Sequence, residues 1–174
     1  MNLAYLDPPY LGCSRLYPEH PESKKWDDPA TFRGLIDSAM SGAFDGWALS
    51  CSSSSLRTML SFCPPDVRVL AWVKPFCNWK GSANPAYAWE PVIMWGGRKR
   101  KIERPKVLDW ISANAPIQKG TAGAKPLEFA LWIFRCLGAR PGDHFSDVFH
   151  GSGAVADAWT FYCRQTDFTR GNEV

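Results

Sequence analysis

The segment Leu3-Ala4-Tyr5-Leu6-Asp7-Pro8-Pro9-Tyr10 constrains this chain more than any other. Its apolar residues make a run of strand length. The paired prolines end that run, because neither can donate to a ladder and both fix φ. A strand that stops this way delivers its last residues to the edge of a sheet, where they face a crevice instead of a core. Asp7 brings a carboxylate acceptor and Tyr10 a flat ring, and the carbonyls beside the prolines stay free and rigidly aimed. An acceptor, free carbonyls and a stacking ring suit an amino group on a flat heterocycle. A base extruded from a nucleic acid would be held in this way.

The residues that follow predict alternating elements. Residues 11–31 are polar and rich in Pro, Lys and Asp, and read as a loop suited to closing over a substrate. Asp28-Pro29 starts a helix through Met40, with Phe32, Leu35, Ile36, Ala39 and Met40 at helical spacing. Residues 44–51 read as a buried strand, and Ser52 to Ser55 as a turn with a serine N-cap. A short helix carrying Leu56, Met59 and Leu60 follows, then a strand over Val67–Val73. Strand, helix, strand, helix, strand predicts a parallel α/β sheet.

Composition sets the outer limits. A chain of 174 residues, 45% hydrophobic and 21% charged, suits one globular domain with a sizeable core. No apolar run has membrane-spanning length, and the N-terminus shows no signal-peptide pattern. Cys13, Cys51, Cys63, Cys77, Cys136 and Cys163 form no CxxC pair and the three histidines are scattered, so no metal site is expected. Reduced, mostly buried thiols are expected instead, and nine tryptophans point to an aromatic core.

Residues 74–125 differ from the rest. They carry ten lysines and arginines against three acids, a local +7 in a chain of net +3. Lys80 and the run Arg98-Lys99-Arg100-Lys101 lie among Trp79, Tyr87, Trp89, Trp95 and Trp110. Cations interleaved with aromatics suit a phosphate backbone and unstacked bases, which makes these cations the candidate nucleic-acid contacts. Residues 88–95 read as a further strand.

The C-terminal third returns to regular structure. Lys125-Pro126 opens a helix through Leu137, and Gly138 stops it. After the Pro141-Gly142-Asp143 turn comes Phe145-Ser146-Asp147-Val148-Phe149-His150-Gly151-Ser152-Gly153, then a helix from Ala154. Strand, glycine-rich turn and helix let backbone approach a ligand carried at the sheet edge.

Asp-Pro-Pro-Tyr together with Lys-Pro, Pro-Gly-Asp and Asp-x-Phe-x-Gly-Ser-Gly resembles the amino-methyltransferases of DNA. These enzymes methylate adenine N6 or cytosine N4 with S-adenosylmethionine. The resemblance is strong at the two ends, over about 60 residues, and looser from Trp72 to Trp95, where Trp-x-Lys-Pro and Glu-Pro resemble the segment walling the target-base pocket. It implies an α/β, Rossmann-like class I methyltransferase fold with a mostly parallel sheet and helices on both faces. The catalytic motif precedes the cofactor motif, so the fold is circularly permuted. One domain, 1–174, is expected to divide into a catalytic half (1–73), a basic, aromatic-rich substrate-contact region (74–124) and a cofactor half (125–174).

Carried over by residue, the resemblance makes Asp7, Pro8, Pro9 and Tyr10 catalytic. Asp147 would take the cofactor's amino group, Phe149, Gly151, Ser152 and Gly153 its methionine moiety, and Lys125 and Pro126 would flank it. DNA is the implied partner. The alternatives are cytosine N4, RNA adenine N6, or a non-catalytic nucleic-acid-binding subunit of a heteromeric enzyme, and a homodimer or partner subunit stays open. Aspartate at position 7 favours adenine, since cytosine N4 enzymes more often carry serine there. A bacterial or phage-type cytoplasmic protein is implied. The family's later strands, one ending in a ribose-binding acid, have no counterpart before Val174, and neither Asp167 nor Glu173 can be placed in that role.

Overall fold

The computed structural model describes residues 1–20, 22–76, 83–99, 106–116 and 124–170, with only the backbone described for 166–170. Its centre is a six-stranded sheet: β1 (Asn2–Leu6), β2 (Gly46–Ser50), β3 (Arg68–Val73), β4 (Trp89–Gly96), β5 (Trp110–Ser112) and β6 (His144–Asp147). The spatial order is β5-β3-β4-β2-β1-β6. β1 lies between β2 and β6 and is parallel to both, so the first and last of the described strands are neighbours. That adjacency is the expected circular permutation.

Continuous apolar sequence in β1 and β2 follows from burial on both faces. Leu3 and Tyr5 face one side, where they meet α3 (Leu127–Leu137) and α4 (Ala154–Arg170). Ala4 and Leu6 face the other, towards α1 (Pro29–Ser38) and α2 (Leu56–Leu60). Each helix starts or stops where its sequence predicts. The Asp28 carboxylate caps α1 by accepting from Ala30 N at 2.9 Å. At α2, Ser55 is the N-cap residue but makes no side-chain cap bond, and its hydroxyl pairs with Ser52 instead.

Direction is where the structure departs from the plain parallel reading. β4 runs antiparallel to its two neighbours and is inserted between β2 and β3. It enters the sheet at the edge where β1 ends and leaves at the edge where β1 begins. At that exit Gly46 faces Gly97 so closely that a Cβ on Gly46 would lie 2.2 Å from Gly97 N. Any side chain there would push β4 off β2. The three-residue strand β5 was not anticipated, because so short a piece carries no periodicity.

The exit of β4 places Arg98 against the start of β1. Its guanidinium binds both Asp143 carboxylate oxygens, at 2.6 and 2.8 Å, and donates to Gly138 O at 3.1 Å. The N-terminal ammonium reaches the same carboxylate at 2.9 Å. Burial pushes the Asp143 carboxyl up, but the bonds from Arg98, the N-terminus and Arg140 N outweigh it and hold the carboxyl below its ordinary range. A depressed carboxylate contributes stability above its unfolded pKa, about 3.9, and loses it as pH falls through the folded value. Arg98→Ala should therefore cost about 2 kcal/mol near neutrality, from the loss of one partner of a buried pair. The cost should shrink as pH drops below about 4, which thermal melts across pH would measure.

Among the described cysteines only Cys51 is buried, and Cys13, Cys63, Cys136 and Cys163 are half-buried, which corrects the expectation of mostly buried thiols. Burial pushes the Cys51 thiol up to about 12 and that of Cys63 up to about 11, so neither is poised to react. Among the described residues no helix is long and apolar enough to cross a membrane, and no His, Cys, Asp and Glu group could hold a metal.

Candidate active site

The carboxyl ends of β1, β2, β3 and β6 share one sheet edge, and the reversed β4 brings its first residues to it. Asp7 leaves β1 at this edge and meets Lys125, which precedes α3. Lys125 Nζ donates to Asp7 Oδ2 at 2.5 Å, and the two side chains are 4% and 16% exposed. The ammonium also stands 5.8 Å from the Tyr10 ring and 5.9 Å from that of Trp72. Burial raises the Asp7 carboxyl above its ordinary value, and the charge and hydrogen bond of Lys125 oppose the rise. The expected cofactor lysine is thus the counter-ion of the expected catalytic carboxylate.

A cavity of 720 Å³ is lined by Asp7, Pro9, Lys125, Asp147, Phe149 and Ser152. Asp147 ends β6 and is buried, and its Oδ1 has no protein partner. Burial raises this carboxyl too, against the opposing charge of His150. Gly151 also lines the cavity, and the turn over it closes with Gly153 N donating to His150 O at 2.6 Å. Gly151 and Gly153 have φ of +42° and +76°, the left-handed backbone that leaves glycine the best residue there. Pro126 takes the N-cap position of α3, its carbonyl accepting from Phe129 N and Ala130 N, and does not line the cavity.

Near Asp7, outside the cavity lining, is a polar cluster that the sequence does not single out by residue. The Tyr10 hydroxyl donates to Glu90 Oε2 on β4 at 2.9 Å. The other Glu90 oxygen is ion-paired with Lys74, which follows β3. Lys74 Nζ in turn stands 4.5 Å from the Trp72 ring. Trp72-x-Lys74-Pro75 and Glu90-Pro91 were the available signals, but the spacing alone does not say that β3 and β4 pair Trp72 with Glu90.

The polar loop after Tyr10 is more ordered than expected. It forms 3₁₀ turns at Ser14–Leu16 and Ser23–Asp27. The Ser14 hydroxyl donates to Asp27 Oδ2 at 2.5 Å. Trp26 is buried edge-on against both Phe32 and Phe149, so the loop roofs the cavity, with Tyr17 and His20 on its wall. Of the candidate nucleic-acid contacts, Arg98 is held by Asp143 at the opposite edge, and the exposed Lys99 follows it. Lys80, Arg100 and Lys101 lie outside the described residues, as do the Asp167 side chain and Glu173.

A glycine turn beside β1, a reversed strand two places away and helices on both faces make a Rossmann-like fold in which the first and last described strands are adjacent. Comparison with solved structures agrees. The M1.HpyAVI–SAM complex superposes with a TM-score of 0.59 at 17% identity, over 92% of this chain and 78% of that one. M1.HpyAVI alone gives 0.58 at 15% identity, over 94% and 76%. At such identities the likeness shows the fold. No protein-family model matches the chain, and no curated protein does.

Proposed function

We propose that this protein is an S-adenosylmethionine-dependent methyltransferase acting on adenine N6 in DNA. The observation that carries the reading is that Asp7 lines the cavity while its partner Lys125 also stands 5.8 Å from the ring of Tyr10, which Glu90 holds. A methyl donor in the cavity and a flat base against Tyr10 would then meet at one carboxylate.

The residues present fit the cofactor. The unpaired Asp147 oxygen in the cavity wall suits an ammonium, and the glycine turn lets backbone pack against a methionine moiety. The SAM in the M1.HpyAVI complex supports the same assignment. When bound, the cofactor supplies an electrophilic methyl group. Asp7 and the Pro8 carbonyl accept hydrogen bonds from the adenine amino group, whose lone pair is otherwise delocalised into the ring. Holding both N–H groups favours a tetrahedral nitrogen aimed at the cavity, so positioning supplies most of the acceleration. Tyr10 stacks on the extruded base. The proton can leave after transfer, so Asp7 need not be a strong base.

Mass spectrometry of nucleosides from duplex and single-stranded DNA incubated with S-adenosylmethionine tests the reading, with N6-methyladenine as the expected product. N4-methylcytosine would change the base and keep the mechanism. Cofactor binding without any methylated nucleoside, from DNA or RNA, would make the chain a binding subunit. Asp147→Asn should weaken cofactor binding about 10-fold or more in equilibrium dialysis, because a charge-assisted bond contributes about 1.5–3 kcal/mol.

A further inference from the structure

We infer that Glu90, with Lys74 as its counter-ion, is a positioning residue that sets the Tyr10 ring against the target base. The inference rests on the methyltransferase reading and adds to it a part for β3 and β4.

Tyr10 lies outside the sheet, four residues beyond the end of β1, in a turn stiffened by two prolines. The prolines fix the backbone, but the ring retains its own rotations. A stacking platform free to swing loses the benefit of a fixed turn. The bond from its hydroxyl to Glu90, 80 residues away in sequence, removes that freedom. Glu90 is itself held on rigid elements. It lies opposite Trp72 in the β3–β4 register, and Trp72 is 2% exposed with its indole N–H on Ala113 O at 2.8 Å.

A carboxylate makes a stronger acceptor than a neutral amide, but it stands near Asp7, and like charges disfavour each other. Glu90 is among the groups that raise the Asp7 carboxyl, and Lys74 among those that lower it. Lys74 therefore lets Glu90 grip Tyr10 without adding an uncompensated charge beside the catalytic carboxylate. Its other contact, the face of Trp72, keeps the ammonium on the β3 side of the cluster.

The test combines kinetics with a direct view of the ring. Steady-state methylation of mixed-sequence DNA would compare wild type, Tyr10→Phe, Glu90→Ala, Glu90→Gln and the Tyr10→Phe/Glu90→Ala pair. Glu90→Ala and Tyr10→Phe should each lower kcat/KM for DNA about 10-fold, with the KM for S-adenosylmethionine unchanged. The double variant should be no worse than either single one, since both remove the same bond. Glu90→Gln keeps an acceptor and should stay within about threefold of wild type. Multiplying effects in the double variant, or a raised KM for S-adenosylmethionine, would overturn the inference.

Fluorine NMR of the full chain labelled with 3-fluorotyrosine, assigned through Tyr10→Phe, gives the second readout. The Tyr10 resonance should move when mixed-sequence oligonucleotide is added to wild type, and should broaden without DNA in Glu90→Ala. If wild type makes no methylated nucleoside but this resonance behaves as described, the activity fails and the positioning role stands. A Tyr10 resonance indifferent to both DNA and Glu90→Ala sinks the positioning role alone.

Discussion

Replacing Asp7 by alanine should lower methyl transfer by about 10³-fold, the scale seen when one preorganised polar contact to a reacting group is removed. The loss should fall on kcat, with the KM for S-adenosylmethionine little changed, because Asp147 and the glycine turn face the cofactor cavity independently of Asp7. Asp7→Asn is the sharper variant. It keeps an acceptor for Lys125 and the shape of the turn, but loses the charge and presents an amide to the target amine. Activity near wild type in Asp7→Asn would mean that the carboxylate is not what orients the amine. Product assays by nucleoside mass spectrometry, with melts to confirm folding, decide between these outcomes.

Lys125→Met should produce the largest loss of stability, about 3–5 kcal/mol, by leaving Asp7 buried without its partner. The sign with pH follows from the direction of the Asp7 shift. Its carboxyl is already raised by burial, and removing Lys125 takes away the first opposing influence, so the value rises further. An acid with a raised folded pKa favours the folded state while protonated, and that stability is lost as pH climbs through the folded value. The variant should therefore be least impaired in mild acid and most impaired in alkali. Its activity should fail at a higher pH on the acid side than that of wild type, because Asp7 must be ionised to accept from the amine. The Asp7→Asn/Lys125→Met pair should regain most of the stability and none of the activity, since a neutral pair of similar volume replaces the buried ions. An unshifted acid limb in Lys125→Met would show that Lys125 does not set the charge of Asp7.

Each element with a strong local signal was legible. The apolar run and prolines around Asp7 define a strand and its end, Asp28-Pro29 opens α1, Gly138 closes α3, and the glycine turn follows β6. These features depend on side-chain period, on φ and on capping, all of which act within a few residues. The positions of Asp7, Asp147 and the glycine turn at one edge could also be anticipated, because parallel strands all end on the same side.

Local sequence has no term for strand direction or for pairing across long separations. The apolar run of β4 reads the same whether the strand runs up or down, so the insertion of a reversed strand between β2 and β3 was decided by packing. That reversal determines which charges reach the site. Glu90, at the start of β4, arrives beside Tyr10, while Arg98, just past its end, is carried to Asp143 at the far edge. The pairing of Lys125 with Asp7 spans 118 residues, and only the closed sheet brings the two together. The roof over the cavity arose in the same way, since a polar loop holds a buried aromatic anchor, Trp26, whose partners Phe32 and Phe149 are far apart in sequence. Sequence determined which residues end strands and turn the chain. Tertiary structure decided which of them meet, because strand direction and ion pairing are settled only when distant segments are packed together.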